Sequence, residues 1–282
     1  MMKHLKFLIG FILLVLTALA SFGTFSLPRV EKGDSDRFSA ERASKHIEVM
    51  SKVPHSVEHP VERAQVRRYL YDILEDMGGE PEIHEYDSIK FRYGGYFDIG
   101  NVYCQFDPLS GPADSYIMMV AHFDSRFRQT KLQKTVYSYG AGDDAYGVGS
   151  ILELLSQALK YRDEWHQGVR ILFTDSEENA LDGMKCAAKY NPELFENVGY
   201  VVNLESRGMN GPVLLFETSA NNENVLDLYS DAKAPYGYSL TTVVYRFLPN
   251  NTDFTIVKDS IPGINFSTID NINYYHVDDD NF

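Results

Sequence analysis

Short apolar runs alternate with segments of helical spacing along most of the chain. The apolar runs after residue 36 are nearly continuous and have the length of β-strands, whereas apolar positions recur at helical intervals between them. The predicted strands are Glu82–Tyr86, Gly100–Phe106, Tyr116–Ala121, Val169–Thr174, Tyr200–Leu204, Pro212–Glu217, Leu240–Tyr245 and Gly263–Thr268. The predicted helices are Ser39–Met50, Val61–Met77, Asp144–Tyr161, Gly183–Tyr190 and Asn222–Ala232. Strands this apolar are buried on both faces, so we predict an α/β fold with a mixed, mostly parallel sheet flanked by helices on both faces.

The first thirty residues have a different pattern. Two lysines precede an uncharged run from Phe7 to Leu27, which has about the ~20 residues needed to cross a bilayer as a helix. Basic residues before the run, against mixed charges after it, predict a cytoplasmic N-terminus. Ala18-Leu19-Ala20 also resembles a signal-peptidase site, so a cleaved signal peptide is the alternative. We expect residues 1–30 to be a signal anchor or transmembrane helix. Residues 31–282 are then expected to lie at the cell surface or in an organelle lumen, or to be secreted if the N-terminal segment is cleaved.

Composition narrows the possible partners. The chain has 282 residues, of which 44% are hydrophobic, enough for one sizeable domain with its own core. Its formal net charge of −14 argues against a nucleic-acid partner, because phosphate backbones are bound by clustered lysine and arginine. The two cysteines, Cys104 and Cys186, have no metal-ligand spacing, and we predict that both are small buried hydrophobes rather than a disulfide.

Side chains that bind metals or carry protons follow four of the apolar runs. In open α/β sheets ligands collect beyond the carboxyl ends of the strands, so residues distant in sequence can converge on one crevice. Asp143-Asp144 could instead cap the helix that follows, and for Asp144 both roles remain open. The candidates are His122, Asp124, Asp143, Asp144, Glu177, Glu178, Glu205 and, near the C-terminus, His276.

The types of these side chains indicate a metal site. Imidazole nitrogen and carboxylate oxygen without thiolate suit zinc or a similar ion, with one position left open for water. Two histidines and three carboxylates are too many for one such site and suffice for two metals that share a bridging carboxylate. A pair about 3.5–4 Å apart can together activate water and polarise a carbonyl. In Glu177-Glu178, one carboxylate can bind metal while its neighbour acts as general base.

The segments around these candidates resemble metallopeptidase family 28, the co-catalytic di-zinc exopeptidases. The resemblance covers about Asp36 to His276 and is closest to the membrane-anchored vacuolar and endoplasmic reticulum metallopeptidases. The matching segments are AHFDS at Ala121–Ser125, GAGDDAYGVG at Gly140–Gly149, FTDSEENALDG at Phe173–Gly183, NLESRG at Asn203–Gly208 and YYH at Tyr274–His276.

The resemblance implies a set of ligands for two zinc ions per chain. It implies that His122 and Glu205 bind one zinc ion. It implies that Glu178 and His276 bind the other, and that Asp143 bridges the two. Soluble aminopeptidases of the family carry aspartate where this chain has Glu205, and glutamate there is similar to the membrane-anchored branch.

The resemblance also implies roles for two residues that do not bind metal. Glu177 is implied to be the general base, and Asp124 is implied to orient the ring of His122. Relatives usually continue beyond the last histidine with a further helix, so we expect a chain truncated at its C-terminus, a fragment of a longer protein.

Other polar residues have less specific predictions. His55 and His59 have no strand-end context and are predicted to be structural. Arg207 could neutralise the acidic site, hold a substrate carboxylate or form an ordinary ion pair. Asp253 is predicted in a loop near the substrate entrance, and Asp278-Asp279-Asp280 in a solvated turn.

The resemblance and the ligand chemistry together predict a zinc-dependent exopeptidase that acts on peptide substrates, most simply an aminopeptidase. Three alternatives remain open. A glutaminyl cyclase-like acyltransferase would use a single zinc ion, which the five candidate ligands disfavour. A carboxypeptidase would need a cationic pocket, and a non-catalytic ectodomain serving as receptor or scaffold would typically lose ligands.

Overall fold

A seven-stranded sheet organises residues 31–282 in this computed structural model. The structure describes residues 2–24, 30–209, 211–220, 222–232, 237, 245 and 251–282. The strands of the sheet are β1 (Glu82–Lys90), β2 (Tyr96–Phe106), β3 (Tyr116–His122), β6 (Gly168–Thr174), β7 (Val198–Ser206), β8 (Leu214–Thr218) and β9 (Gly263–Thr268), and a separate hairpin contains β4 (Gln129–Lys131) and β5 (Lys134–Val136). The predicted strand Leu240–Tyr245 lies outside the described residues except for Tyr245.

The strand order places β3 and β7 at the centre of the sheet. The order is β1-β2-β6-β3-β7-β9-β8, and the central pairs β6–β3, β3–β7 and β7–β9 are parallel. Strands β2 and β8 run antiparallel to their neighbours. The sheet is therefore mixed and mostly parallel, as predicted, and the carboxyl ends of four adjacent strands meet at one edge.

Helices cover both faces of the sheet. In β6, Ile171 and Phe173 pack into a cluster with α2, α3 and α4, whereas Leu172 between them packs on the opposite face with Met184 of α6. This alternation follows from the two-residue period of a strand. The helices are α2 (Ala40–Met50), α3 (Pro60–Asp76), α4 (Ala145–Ala158), α5 (Glu177–Ala180), α6 (Asp182–Tyr190) and α7 (Glu223–Ser230), with one further turn at Phe254–Val257.

Local sequence explains where several helices begin and end. Ser39 caps α2 by accepting a hydrogen bond from the backbone N of Arg42 at 3.3 Å, as its position before the apolar spacing suggests. The predicted helix Asp144–Tyr161 ends as α-helix at Ala158 and continues as 3₁₀ turns.

Cys104 and Cys186 are both buried and unpaired, as predicted.

The N-terminal segment forms a unit of its own. Met2–Thr24 is helical (α1), and within it His4–Ser21 is long and apolar enough to cross a membrane. Residues 1–30 and 31–282 are two separate compact units.

Candidate metal centre

His122 is held at the end of β3, between the parallel strands β6 and β7. Its ring Nδ1 lies 3.0 Å from the backbone carbonyl oxygen of Asp124 and 3.4 Å from the Oδ1 atom of that carboxylate. A carbonyl oxygen only accepts hydrogen bonds, so Nδ1 carries the hydrogen. In the neutral ring the lone pair then belongs to Nε2, which lies 3.1 Å from Asp143 Oδ1 and 3.8 Å from Glu205 Oε1.

Asp143 lies on the tight loop that leads into α4. Gly140 opens the loop at φ +68°, where a Cβ atom would lie 2.9 Å from that of Ser125, so a larger residue would be both strained and crowded. Asp143 and Asp144 are joined by a cis peptide bond. Asp144 accepts a hydrogen bond from Gly147 N at 3.0 Å and caps α4, which settles its role as helix cap. Asp143 instead faces both histidines.

A second group of candidate ligands shares Asp143. Its Oδ2 atom lies 3.0 Å from Nε2 of His276, and the same nitrogen lies 3.1 Å from Glu178 Oε1. The two carboxylate oxygens of Asp143 thus face two different histidines. Glu178 belongs to the first turn of α5. His276 has a φ of +61°, an uncommon backbone conformation for a residue other than glycine, and its ring stacks on Tyr275 at 3.6 Å between centroids.

The residues fit zinc. Within each group, one ligand atom per residue lies within 4.8 Å of the others: His122, Asp143 and Glu205 in one, and Asp143, Glu178 and His276 in the other. All donors are imidazole nitrogen or carboxylate oxygen, the types that zinc prefers when thiolate is absent. Several of the facing atoms are buried without a hydrogen-bond partner: Asp143 Oδ2, Glu178 Oε1 and His276 Nε2. Such atoms are costly to bury unless something binds them.

The charges of the carboxylates shift the histidines toward their cationic form. Burial alone lowers the pKa of His122, but hydrogen bonds with Asp124, Asp143 and Glu205 outweigh it and raise the pKa well above its ordinary value. Burial also lowers the pKa of His276, which the carboxylates of Glu178 and Asp143 nevertheless raise to about 9. The site therefore has a negative potential that attracts cations, and a divalent ion that binds there displaces the imidazole protons.

Glu177 lies beside both groups and has the properties of a proton carrier. Burial, together with the charges of Glu205, Glu178 and Asp253, raises the pKa of Glu177 well above its ordinary range. Its backbone N donates a hydrogen bond of 2.9 Å to Oδ1 of Asp124. One carboxylate thus contacts both the backbone of Glu177 and the ring of His122.

Arg126 is a site residue that the sequence did not indicate. Its Nη1 atom donates to Oε2 of Glu178 at 2.7 Å and to the carbonyl oxygen of Glu178 at 2.9 Å. These contacts leave Oε1 of Glu178 facing His276. No pattern in the sequence distinguishes Arg126 from other arginines that follow strand ends.

The structure corrects one of the predictions for the other polar residues. The predicted position of Asp253 in a loop near the substrate entrance stays a prediction, and the residue itself is buried and accepts a hydrogen bond from the hydroxyl of Thr174 at the end of β6. Burial raises its pKa to about 7. Asp280 is not part of a solvated turn, because it is fully buried and accepts hydrogen bonds from Ser138 Oγ at 2.8 Å and Gly142 N at 2.6 Å. It therefore anchors the loop that carries Asp143.

His55 and His59 stay outside both ligand groups. The ring of His55 is buried with its Nδ1 atom 3.0 Å from the carbonyl oxygen of Val53, and His59 contacts Ser56 Oγ at 2.8 Å just before α3. Their contacts are those of structural residues, as predicted.

A cavity of about 450 Å³ opens beside the second group. Glu177, Glu178 and His276 line it, together with Arg207, whose position near Glu205 was predicted. Arg207 donates hydrogen bonds to the carbonyl oxygen of Asn251 at 2.8 Å and to the hydroxyl of Tyr275 at 3.3 Å. A cavity of this size can hold part of a small ligand next to the candidate metal centre.

Solved structures with similar folds support the α/β architecture. The chain is similar to a Zn-dependent exopeptidase from Parabacteroides distasonis ATCC 8503, with a TM-score of 0.66 and 20% identity, covering 86% of this chain and 91% of that chain. It is also similar to a glutaminyl cyclase of Porphyromonas gingivalis, with a TM-score of 0.67 and 19% identity over 88% of this chain and 92% of that chain. At these identities the likeness establishes the fold alone.

Sequence relatives identify the family. The chain is 32% identical to endoplasmic reticulum metallopeptidase 1 of Homo sapiens over 197 residues, which cover 67% of this chain and 21% of the relative. It is 28% identical to the vacuolar membrane protease of Saccharomyces cerevisiae (strain YJM789) over 177 residues, which cover 62% of this chain and 17% of the relative. The chain thus spans about a fifth of the length of these curated relatives. A model of Peptidase family M28 matches residues 101–282, and this segment contains every candidate ligand. The predicted resemblance is therefore confirmed, and the chain belongs to peptidase family M28.

Proposed function

We propose that this protein is a di-zinc exopeptidase, and specifically an aminopeptidase. His122 and Glu205 hold one zinc ion, Glu178 and His276 hold the other, and Asp143 bridges them. The observation that carries the proposal is the position of the Asp143 carboxylate, with Oδ1 3.1 Å from one histidine and Oδ2 3.0 Å from the other. A carboxylate that faces two imidazoles in this way suits a bridge between two cations better than a ligand of one.

Different residues of the chain have different roles in the proposed hydrolysis. Bound zinc supplies Lewis acidity, which lowers the pKa of water toward about 7 and polarises a carbonyl. Glu177 accepts the proton that the attacking water loses and returns it to the nitrogen of the leaving amine. Asp124 fixes the backbone of Glu177 and the ring of His122 together. Arg126 holds one oxygen of Glu178, so the other is directed into the site.

The experiment that tests this proposal combines metal analysis with a substrate panel. The purified protein, loaded with zinc and dialysed, is analysed for bound metal and assayed with aminoacyl, carboxyl-terminal and glutaminyl substrates. We expect about two zinc ions per chain and release of N-terminal residues. Full activity with a single tightly bound zinc ion, or cyclisation of N-terminal glutamine without peptide hydrolysis, would favour the glutaminyl cyclase alternative. Bound metal without turnover of any substrate would favour a non-catalytic ectodomain.

We propose further that residues 1–30 anchor the protein and that residues 31–282 form an extracytoplasmic peptidase domain. The apolar helix α1 and the names of the relatives, one of which is a vacuolar membrane protease and the other an endoplasmic reticulum metallopeptidase, support the anchor. Lys3 and Lys6 before the apolar run support the orientation. A C-terminal tag is expected to be cleaved by protease added outside intact cells, or inside isolated organelles, while an N-terminal tag stays protected. A C-terminal tag exposed to the cytosol would overturn this orientation.

A further inference from the structure

The cavity beside the candidate metal centre is cationic in a chain that is strongly acidic overall. The chain has a formal net charge of −14, yet four basic side chains line this one cavity: Arg92, Arg126, Lys185 and Arg207. The acidic residues in the lining are Glu177 and Glu178, which the proposed function uses as general base and metal ligand. The four basic side chains outnumber these two carboxylates, so the net charge of the lining is positive.

Arg126 and Arg207 are the more buried of these four basic side chains, and each has an N–H group without a hydrogen-bond partner. Arg207 is largely buried and bonds to a carbonyl oxygen and a tyrosine hydroxyl, and none of the described residues forms a salt bridge with it. The Nε atoms of Arg207 and Arg126 are both buried without a hydrogen-bond partner. A buried guanidinium is normally paired with an anion, because its desolvation is costly. Arg126 already has such a partner in Glu178, whereas Arg207 has none at salt-bridge distance among the described residues, so an anionic group of a ligand would supply the missing partner of Arg207.

The two exposed basic side chains, those of Arg92 and Lys185, line the same cavity from different parts of the fold. Arg92 comes from the turn between β1 and β2, and Lys185 from α6. Their charged groups donate hydrogen bonds to backbone carbonyl oxygens, those of Asn179 and Ala180 respectively, and the Arg92 guanidinium also lies over the Phe127 ring, 5.2 Å from its centroid. Both residues are exposed, and a carbonyl oxygen does not neutralise their charge. Two segments distant in sequence thus place positive charge at the rim, and neither Arg92 nor Lys185 forms a salt bridge with a described residue.

We propose that this cavity binds a carboxylate of the substrate beside the bond that is cut. The inference rests on the proposed exopeptidase function and narrows it to substrates with an acidic group at the scissile end. An acidic side chain fits the proposed aminopeptidase, whereas recognition of an α-carboxylate would make the protein a carboxypeptidase. Arginine binds carboxylates through paired, charge-assisted hydrogen bonds, and Lys185 adds a flexible point charge. The carboxylate has two possible sources: the side chain of a terminal aspartate or glutamate, or the C-terminal α-carboxylate of the peptide.

Matched substrates separate these sources. The first pair is glutamyl and glutaminyl p-nitroanilide, which differ in a side-chain carboxylate and amide of nearly equal size. The second pair is an N-blocked dipeptide with a free or an amidated C-terminus. We expect the zinc-loaded full chain to prefer the charged member of one pair by about tenfold or more in kcat/KM, the scale of one desolvated charge-assisted contact. A preference for the neutral member of both pairs would overturn the proposal.

Two lysines on α6 provide a matched pair of variants. Lys185 lines the cavity, whereas Lys189, one turn further along, contacts the hydroxyl of Tyr190 instead. Lys185→Gln is expected to reduce the preference for the charged substrate by about two- to fivefold, as for an exposed charge contact. Lys189→Gln changes net charge equally and is expected to leave the preference unchanged. If both variants reduced it equally, the preference would come from overall charge and the cavity would have no specific role.

A binding measurement tests carboxylate binding in the cavity independently of catalysis. Calorimetry on the zinc-loaded protein compares N-acetylglutamate α-amide, N-acetylglutamine and N-acetylglutamine α-amide, which carry a side-chain carboxylate, an α-carboxylate and no carboxylate. Selective binding of one acidic ligand, weakened by Lys185→Gln and not by Lys189→Gln, supports the cavity even if no peptide is hydrolysed. Peptide hydrolysis with equal binding of all three ligands would instead leave the peptidase function standing and overturn the carboxylate site.

Discussion

The two ends of strand β3 use buried polar groups in opposite ways. Tyr116 begins the strand and His122 ends it, and both side chains are buried among other polar residues. At the amino end the polar groups satisfy one another within the protein. At the carboxyl end several of these polar groups have an atom without a hydrogen-bond partner. The comparison separates polar groups that stabilise the fold from polar groups arranged for a ligand.

At the amino end, each side chain of the network has a defined partner. The hydroxyl of Tyr116 donates to Asp107 Oδ1 at 2.7 Å, and Gln105 Nε2 donates to Asp107 Oδ2 at 3.0 Å. Arg170 donates to Gln105 Oε1 at 3.0 Å and to the carbonyl oxygens of Leu194 and Glu196. Satisfied networks of this kind stiffen a fold and need no further partner.

At the carboxyl end, the unpartnered atoms point at one another. Asp143 Oδ2, Glu178 Oε1 and His276 Nε2 lie within about 3 Å of a neighbour in the same group, yet none is hydrogen-bonded. The carboxylates of Asp143 and Glu178 attract the His276 ring and raise its pKa, but they leave these three atoms without a hydrogen bond. The fold keeps them close together because its other contacts hold them there, which is the expected condition of a preorganised metal site.

The largest expected effect at the carboxyl end is that of Glu177→Gln. Glutamine keeps the shape of the side chain but cannot accept and return the proton, so kcat is expected to fall by ~10²–10⁴-fold. Zinc content and unfolding temperature should stay close to those of the wild type, because Glu177 is not among the candidate ligands. Steady-state kinetics, metal analysis and thermal unfolding of the same preparation measure all three. Unchanged turnover would mean that another residue is the base.

Glu205 tests whether the carboxyl end binds metal through charge. Glu205→Gln removes the negative charge 3.8 Å from Nε2 of His122, so zinc affinity at that position is expected to fall by about 10²-fold. Glu205→Asp keeps the charge on a shorter side chain, and the misplacement is expected to cost less than loss of the charge. The predicted order of zinc retention and activity is therefore wild type, Asp, Gln.

Competition with a zinc-sensitive chelator dye measures this order directly. Thermal unfolding in the absence of metal serves as the control for damage to the fold. If Glu205→Gln retained both zinc ions, Glu205 would be a structural residue and the first group would need another ligand.

The sequence could predict the site residues that follow strands, because an apolar run and the polar residue after it are contiguous. His122 and Glu205 were identifiable for this reason, and the parallel sheet brings them together as expected. His276 lies at no strand end, and only the resemblance to a family indicated it. Asp280 looked like a solvated acid in an acidic triplet, and its burial depends on packing against a loop 138 residues earlier in the chain.

Long-range convergence and unusual turns could not be predicted. Arg92 and Lys185 line one cavity because of the strand order, which composition and periodicity do not reveal. The β4–β5 hairpin was also missed, since it is polar and turns at Leu132 and Gln133. Both residues have positive φ, a conformation that hairpin turns usually assign to glycine or asparagine. Neither feature has a local sequence signal.

Asp280 links the carboxyl end to the rest of the fold, and its removal is expected to affect both stability and zinc binding moderately. Asp280→Ala leaves the buried N–H of Gly142 without its acceptor, which should lower the unfolding free energy by about 1–3 kcal/mol. The loop that carries Asp143 loses support, so zinc affinity should fall by about tenfold. Asp279→Ala, in the same turn but exposed, is the matched control. Equal effects of the two variants would show that net charge, and not the anchor, is responsible.

The smallest expected effect is at the amino end of β3. Tyr116→Phe removes one hydroxyl that donates to Asp107, while Gln105 Nε2 and Ala113 N continue to bond that carboxylate. The unfolding free energy is expected to fall by about 1 kcal/mol, the net value of one hydrogen bond, which lowers Tm by about 2–4 °C. The zinc affinity and kcat should not change, because the network at this end contains no candidate ligand. Denaturant unfolding with and without zinc measures the difference, and the stabilisation by zinc should be equal in the variant and the wild type. If Tyr116→Phe weakened zinc binding by as much as Asp280→Ala, the two ends of the strand would be coupled, and the division between a structural end and a functional end would be wrong.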